Sequence, residues 1–310
     1  MAQNASTEAQ IEAIQSATCY AYTPLLDPSY GYVPSLAAGI VFCILFAISL
    51  FYHTFQSVRL RATISILLAL GALTELVGWA ARTYSAKCPY NANSFLAQEV
   101  TLIIAPVFFS AALYVLLGRL IIDLGRASSI LSAKWYTIIF CTCDVISLII
   151  QAIGGAKASM AGFDLDQQRL GTHIMVAGIA FQLGTMTLFG LCVLDFFRRV
   201  LARSSPLRGS VTKAMRLVLV GMVVSFIMIY IRSIYRTIEL AQGWSGYLIT
   251  HQAYFIGLDG ALMAIAVGVF VGLDPAVLIG KLERGLGSRP KGQHSRETSE
   301  SEANIAMQNV

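Results

Sequence analysis

Ionisable and amide side chains are few in this chain, and many of them fall at helical spacings inside stretches that are otherwise apolar. Glu75 and Arg82 stand seven residues apart with Gly78 and Trp79 between them, which places all four on one helical face. Asp144 and Gln151 repeat that spacing, and Arg232, Arg236 and Glu239 follow at i, i+4 and i+7. Gln182, Gln252 and Asp259 lie in apolar runs of their own, while Gln98 and Glu99 open a run that Pro106 interrupts. In an apolar medium such groups are costly, so each has to bind a charged headgroup, relay a proton or pair with its neighbours. The plainest alternative is that they form interhelical ion pairs and hydrogen bonds that only hold helices together, Glu75 with an arginine being the obvious pair.

The charges have a sign. Five carboxylates (Glu75, Glu99, Asp144, Glu239 and Asp259) face three arginines (Arg82, Arg232 and Arg236), so a cavity built from them suits a cationic amphiphile better than an anionic one. The candidate substrate- or ion-binding set is therefore Glu75, Arg82, Glu99, Asp144, Gln151, Gln182, Arg232, Arg236, Glu239 and Asp259.

The elements that position these residues are membrane spans. At 56% hydrophobic and 13% charged, with a mean hydropathy of +0.67, the 310 residues lack the polar surface to cover a soluble globule. Apolar blocks of about 20 residues, without period-2 alternation, match helices crossing a bilayer rather than a barrel. They predict seven spans, Pro34–Phe55, Ala62–Arg82, Leu96–Gly118, Trp135–Ala156, Thr172–Leu194, Ala214–Tyr235 and Thr250–Leu273, joined by short connections of which the longest, about 20 residues, follows the fifth. The fold class is an all-α, polytopic seven-helix bundle over 34–273, with a tail at 1–33 and another at 274–310.

Sixteen of the 22 Lys and Arg fall on one set of connections and in the last tail, and residues 1–33 carry none. Basic loops stay in the cytosol, which sets the N-terminus outside and the C-terminus inside. With that orientation the polar intramembrane residues gather at mid-membrane and in the outer half, and the inner half is largely apolar. The first 33 residues lack the pattern of a cleavable signal, so the first span is expected to serve as its own insertion signal. They include an Asn4-Ala5-Ser6 glycosylation sequon. Cys43, Cys141, Cys143 and Cys192 lie within spans, whereas Cys19 and Cys88 both fall on the oxidising side, which makes a Cys19–Cys88 disulfide the expected bridge. The tail from Lys281 is rich in Gly, Ser and charge and reads as disordered, with Ser288, Ser295, Thr298, Ser299 and Ser301 open to phosphorylation.

The seventh span repeats Gly260, Ala264, Gly268 and Gly272 every four residues, a small-residue ridge of the kind that lets helices approach closely. No phosphate-binding loop, His-Glu-x-x-His, Cys-x-x-Cys or Gly-x-Ser-x-Gly motif is present, so ATP-driven pumping and the common hydrolase mechanisms lose support. His53, His173, His251 and His294 are scattered over different segments, with no spacing for a metal or haem on one helix. No metal and no cofactor are expected.

Several ordered motifs coincide: Tyr32-x-Pro34-Ser35; Glu75-x-x-Gly78-Trp79-x-x-Arg82; Ala105-Pro106 leading to Ala111-Ala112-x-Tyr114 and Gly118-Arg119; Asp144 with Gln151 and Gly154-Gly155; Gly178 with Gln182; Arg232 to Glu239; and a late Asp259. Over about residues 30–280 the chain resembles the fungal RTA-like proteins, the lipid-translocating exporter family associated with aminocholesterol resistance and release of sphingoid long-chain bases. The resemblance implies a seven-helix plasma-membrane protein of fungi that moves, or confers tolerance to, amphipathic lipids. Relatives are also implicated in porphyrin uptake. Gln252 stands where that family tends to place Glu, and Asp274-Pro275 where it tends to have His-Pro, so a transport cycle that used that acid or histidine would be altered here.

Three functions of different classes are compatible with these residues. The first is a translocator of cationic amphipathic lipids such as long-chain bases or aminosterols, with membrane lipids and an amphipathic small molecule as its partners. The second is a seven-helix receptor or lipid sensor, although no Asp-Arg-Tyr follows the third span. The third is a membrane-embedded lipid enzyme, which the scattered histidines do not support.

Overall fold

Apolar segments of this length leave their backbone no water to bond with, so each closes its hydrogen bonds internally as a helix. The structure, a computed structural model, describes residues 19–278 except 25, 29, 126–127, 162–163, 203–211 and 245. Asn4 and the serines and threonine of the last tail lie outside the described residues.

Among the described residues seven helices are long and apolar enough to cross a membrane. They are α1 (Leu36–Leu60), α2 (Thr63–Ser85), α3 (Ala92–Leu124), α4 (Ala133–Met160), α5 (Leu165–Leu201), α6 (Lys213–Ala241) and a seventh span, α7 (Gln252–Leu278). Most extend beyond the apolar blocks because polar residues cap and prolong them. Ser35, Asn91, Asp164 and Thr212 each accept a backbone N–H of the first turn of the helix they precede, in α1, α3, α5 and α6. The connection between α5 and α6 is correspondingly shorter than the apolar blocks suggest, and α1 passes into α2 through Arg61, whose φ of 48° makes the left-handed turn.

Sequential helices pack side by side, and α7 returns to α1, so the bundle closes as a ring. Within it α3 is the most deeply buried, touching α2, α4, α6 and α7. Phe109, Leu113, Tyr114 and Leu117 of α3 meet Phe46, Phe140, Phe189, Met222 and Phe270 in one apolar core. The outward faces are apolar too, with Phe51, Ile149, Leu188 and Val220 exposed, the inverse of a water-soluble globule.

Two departures from helical regularity shape the polar interior. Pro106 sits inside α3 and has no N–H to give to the Leu102 carbonyl one turn earlier. In α7, Phe255–Ala261 is a π-helix, and the span breaks again at Leu273 and Asp274 before a last turn that carries it past the predicted end.

The predicted close-packing ridge of α7 is only partly realised. Trp79 and Phe42 fill the space where a Cβ on Gly260 would sit, but Gly268 and Gly272 face open space. The tightest helix approach lies between α4 and α5, where the α5 backbone occupies the place of a Gly154 side chain.

Candidate functional site

The polar residues that α2, α3 and α6 send inward converge on Arg236. Its guanidinium donates to Glu99 (Nη2–Oε2, 2.7 Å) and to Glu239 (Nη1–Oε2, 2.6 Å), and both carboxylates take a further hydrogen bond, from Gln98 and from the Tyr235 hydroxyl (2.7 Å). Gln98 extends the chain of bonds to Arg82, which donates to Gln98 Oε1 (3.2 Å) and to the Tyr32 hydroxyl (2.7 Å). Arg82 is also enclosed by rings, with its guanidinium carbon 4.2 Å from the centre of Phe255, 5.2 Å from Tyr30, 5.6 Å from Tyr32 and 5.9 Å from Trp79.

Tyr30 and Tyr32 belong to the segment before α1, which lies over this end of the bundle. A Cys19–Cys88 disulfide, with Cα atoms 4.8 Å apart, ties that segment to the α2–α3 connection, and Tyr90 bonds the backbone of Thr23 and Leu26. Burial pushes the Tyr30 hydroxyl up to about 12 and raises Tyr32 as well, with Arg82 opposing the rise in both. Both phenols are therefore neutral hydrogen-bonding groups near neutral pH.

Arg232 lies one turn from Arg236 and does something different. Its Nε is 2.7 Å from Asp259 Oδ1 in the π segment, an ion pair off the line of a hydrogen bond, and its Nη2 donates to the Leu102 carbonyl at 2.6 Å. That carbonyl is the acceptor that Pro106 leaves free, so proline, arginine and π-turn form one local solution.

With all three arginines engaged, the expected Glu75–arginine pair does not form. Glu75 is fully buried and neither oxygen has a hydrogen-bond partner. The charges that act on it most strongly are Arg232 and Asp259, and the Trp79 indole N–H, one turn along α2, approaches it as a donor without reaching hydrogen-bond geometry. Arg236 thus serves two carboxylates while Glu75 has none to itself.

Gln151 and Gln182 meet each other across α4 and α5 (3.0 Å), with Gln151 also donating to Ser147, whose hydroxyl bonds the Gly178 carbonyl. They border a cleft of about 20 Å³, room for roughly one water, whose other polar walls are Arg232, Arg236 and Ser233. Gln182 and Ser233 are half-buried, so the cleft lies where α5 and α6 meet the outer face of the bundle. Asp144 stands apart, buried and bonded by the Tyr114 hydroxyl at 3.0 Å.

Of the ten residues singled out from the sequence, Arg82, Glu99, Arg236 and Glu239 share one hydrogen-bonded network, Arg232 pairs with Asp259, Gln151 meets Gln182, and Glu75 and Asp144 each stand alone. Gln98 links the network and Tyr30, Tyr32, Tyr235 and Phe255 complete it. None of these five belongs to the candidate set, although tyrosines near charged spans are a usable signal, since a buried hydroxyl needs a partner.

The RTA1 like protein family model matches residues 68–282. The sphingoid long-chain base transporter RSB1 of Saccharomyces cerevisiae is 31% identical over 268 residues, which cover 76% of this chain and 70% of the relative. The chain belongs to the RTA1-like family. Protein RTA1 of the same yeast is 30% identical, covering 81% of this chain and 86% of its own, and yeast Protein RTM1 is 30% identical, covering 71% and 70%. No solved structure matches. Every candidate from Glu75 to Asp259 lies within the segment matched by the RTA1-like model, whereas Tyr30, Tyr32 and Cys19 precede it.

Proposed function

We propose that this protein translocates cationic amphipathic lipids across the membrane, with sphingoid long-chain bases as the substrate class, and that it works at the plasma membrane with the Glu75 end outside. The observation that carries this reading is Glu75: a buried carboxylate with no ion pair and no well-formed hydrogen bond, in a cluster where acids outnumber arginines. Leaving such a group unpaired costs several kcal/mol, which a bound ammonium would offset. A long-chain base supplies that ammonium together with hydroxyls, for which the Gln151 and Gln182 amides are suitable partners. Its alkyl chain can stay in the lipid alongside α5 and α6, since the cleft beside Arg232 borders that face. The name of the yeast relative supplies the substrate class, and the excess of carboxylates supplies the preference for a positive headgroup. Aminosterols meet the same chemical description.

The test is reconstitution of the purified chain in liposomes with a labelled long-chain base. The expected result is movement between leaflets faster than in empty liposomes, lost in Glu75→Gln at equal protein content. Rates equal to those of empty liposomes would refute translocation. A fast rate retained in Glu75→Gln would refute the assignment of Glu75.

A further inference from the structure

Away from the arginines, Tyr114 of α3 meets Asp144 of α4, and both side chains are buried. The Tyr114 ring stands edge-on to Phe189, with centroids 4.6 Å apart, and tilts against Phe140 at 5.3 Å, so packing sets the position of its hydroxyl oxygen. From there the hydroxyl has two acceptors in reach, Asp144 Oδ2 at 3.0 Å and Met186 Sδ of α5 at 3.8 Å. Ser110 Oγ, one turn earlier on α3, donates to the same sulfur at 3.8 Å. Asp144 has no ion pair among the described residues. The ionisable groups of the neighbouring elements are paired or remote. Cys141, one turn earlier on α4, is half-buried, and Lys134 and Lys157 stand near the two ends of that helix. Arg119 of α3 pairs with Asp123 (3.6 Å), while on α5 Asp195 pairs with Arg199 (2.6 Å) toward one end and His173 lies toward the other.

A hydroxyl has one hydrogen to give and two lone pairs to receive. With Asp144 ionised, the Tyr114 hydrogen goes to the carboxylate, which then keeps its charge in an apolar interior on the strength of that bond. With Asp144 protonated, the new O–H donates to the Tyr114 oxygen and the Tyr114 hydrogen turns to Met186. Hydroxyl and acid thus have a partner in either state, and only the ionised state buries a charge without a counter-ion.

We propose that Asp144 and Tyr114 form a proton-binding site where α3, α4 and α5 meet, with Met186 as the second acceptor to which the hydroxyl turns when the acid is protonated. The proton comes from water and returns to it: uptake forms one O–H bond on the Asp144 carboxylate, and release breaks that bond. Asp144, Ser147 and Gln151 follow at i, i+3 and i+7 on one buried face of α4, and Gln151, bonded to Ser147 (2.6 Å) and Gln182 (3.0 Å), borders the water-sized cleft, which gives the proton a way out. The site does not depend on the translocation reading, because its titration is read without substrate.

The experiment records infrared spectra of the full chain in phosphatidylcholine nanodiscs as a function of pH. At neutral pH the wild type should show a carboxylic acid carbonyl band that Asp144→Asn removes, Asn keeping an oxygen for the Tyr114 hydroxyl. In Tyr114→Phe the band should remain, shift in frequency as its partner is lost, and vanish at a pH higher by roughly one unit or more, because the ionised form has lost its donor. Met186→Leu should lower the midpoint, and a midpoint that does not fall would remove Met186 from the site. No acid band assignable to Asp144 at neutral pH, or a band unmoved in frequency and midpoint in Tyr114→Phe, would overturn the proposal. If Asp144→Asn does not fold, protein with aspartate ¹³C-labelled at the side-chain carboxyl decides: an acid band that moves with the label and responds to Tyr114→Phe supports the site, and the lack of such a band overturns it.

Discussion

Arg236 and Glu75 are buried to nearly the same depth in the same part of the bundle, yet their surroundings are arranged in opposite ways. Around Arg236 each carboxylate oxygen has a donor, and hydrogen bonds run on through Glu99 and Gln98 to Arg82 and through Glu239 to Tyr235. Around Glu75 neither oxygen has a donor in hydrogen-bond geometry: the Trp79 indole N–H approaches without reaching it, and the two nearest arginines are turned to other acceptors. A saturated network has nothing left to offer a ligand and is what binds helices together. An unsaturated acid in the same medium raises the free energy of the empty protein and lowers it only when something positive arrives. Burial and charge alone therefore do not distinguish these two residues; the count of open hydrogen-bonding positions does.

The contrast is most exposed to failure at Arg236. Arg236→Ala would strand Glu99 and Glu239, and breaking a buried ion pair in this way costs about 3–5 kcal/mol. The expected outcome is little folded protein in detergent, read by size-exclusion chromatography with thermal unfolding. Normal yield and melting would mean that the network is not what holds α3 to α6. Glu75→Gln should do the reverse: an unchanged or slightly raised melting temperature, within about 1 kcal/mol, with translocation reduced at least tenfold. A destabilised protein whose activity per folded molecule is intact would place Glu75 with Arg236 rather than against it.

A smaller effect is expected from Pro106→Ala. The new N–H would compete with Arg232 for the Leu102 carbonyl, an exchange worth about 1 kcal/mol, so melting should rise or hold while translocation falls severalfold. An unchanged rate would show that the Arg232 position does not depend on that carbonyl. The smallest concerns the segment that covers the Arg82 end of the bundle. The Tyr30 hydroxyl titrates near 10 in the unfolded chain and about 12 in the folded one, so the folded state holds its proton longer and stability falls as pH rises from 10 to 12. Tyr30→Phe should flatten that slope in a pH series of melting curves without altering stability near neutral pH by more than about 1 kcal/mol.

The seven spans were legible because the bilayer demands long apolar blocks, and the polar candidates were legible because such blocks make them conspicuous. Their partners were not. Seven-residue spacing correctly places Glu75 and Arg82 on one face, but Arg82 turns to Tyr32 and Gln98, which come from outside α2. Nothing in the spacing of α6 says that Arg232 will be claimed by a carbonyl freed at Pro106 and by an acid in a π-turn, because that depends on how α3 and α7 are set against it. The helix ends ran past the apolar blocks because caps, not hydropathy, end a helix.

The π segment in α7 has a consequence for how that span is phased. Each residue of an α-helix turns the next by about 100°, and a π-turn accommodates one residue more than an α-turn does. The stretch before Phe255 and the stretch after Ala261 are thus offset in rotation by about that angle from a continuous α-helix, so α7 shows its neighbours two faces that no single helical wheel contains. Phe255, at the start of the segment, stacks on Arg82; Asp259, near its end, meets Arg232. Four residues apart, the two lie on one side of the span and meet both arginines from it, while the offset falls on what precedes and follows them.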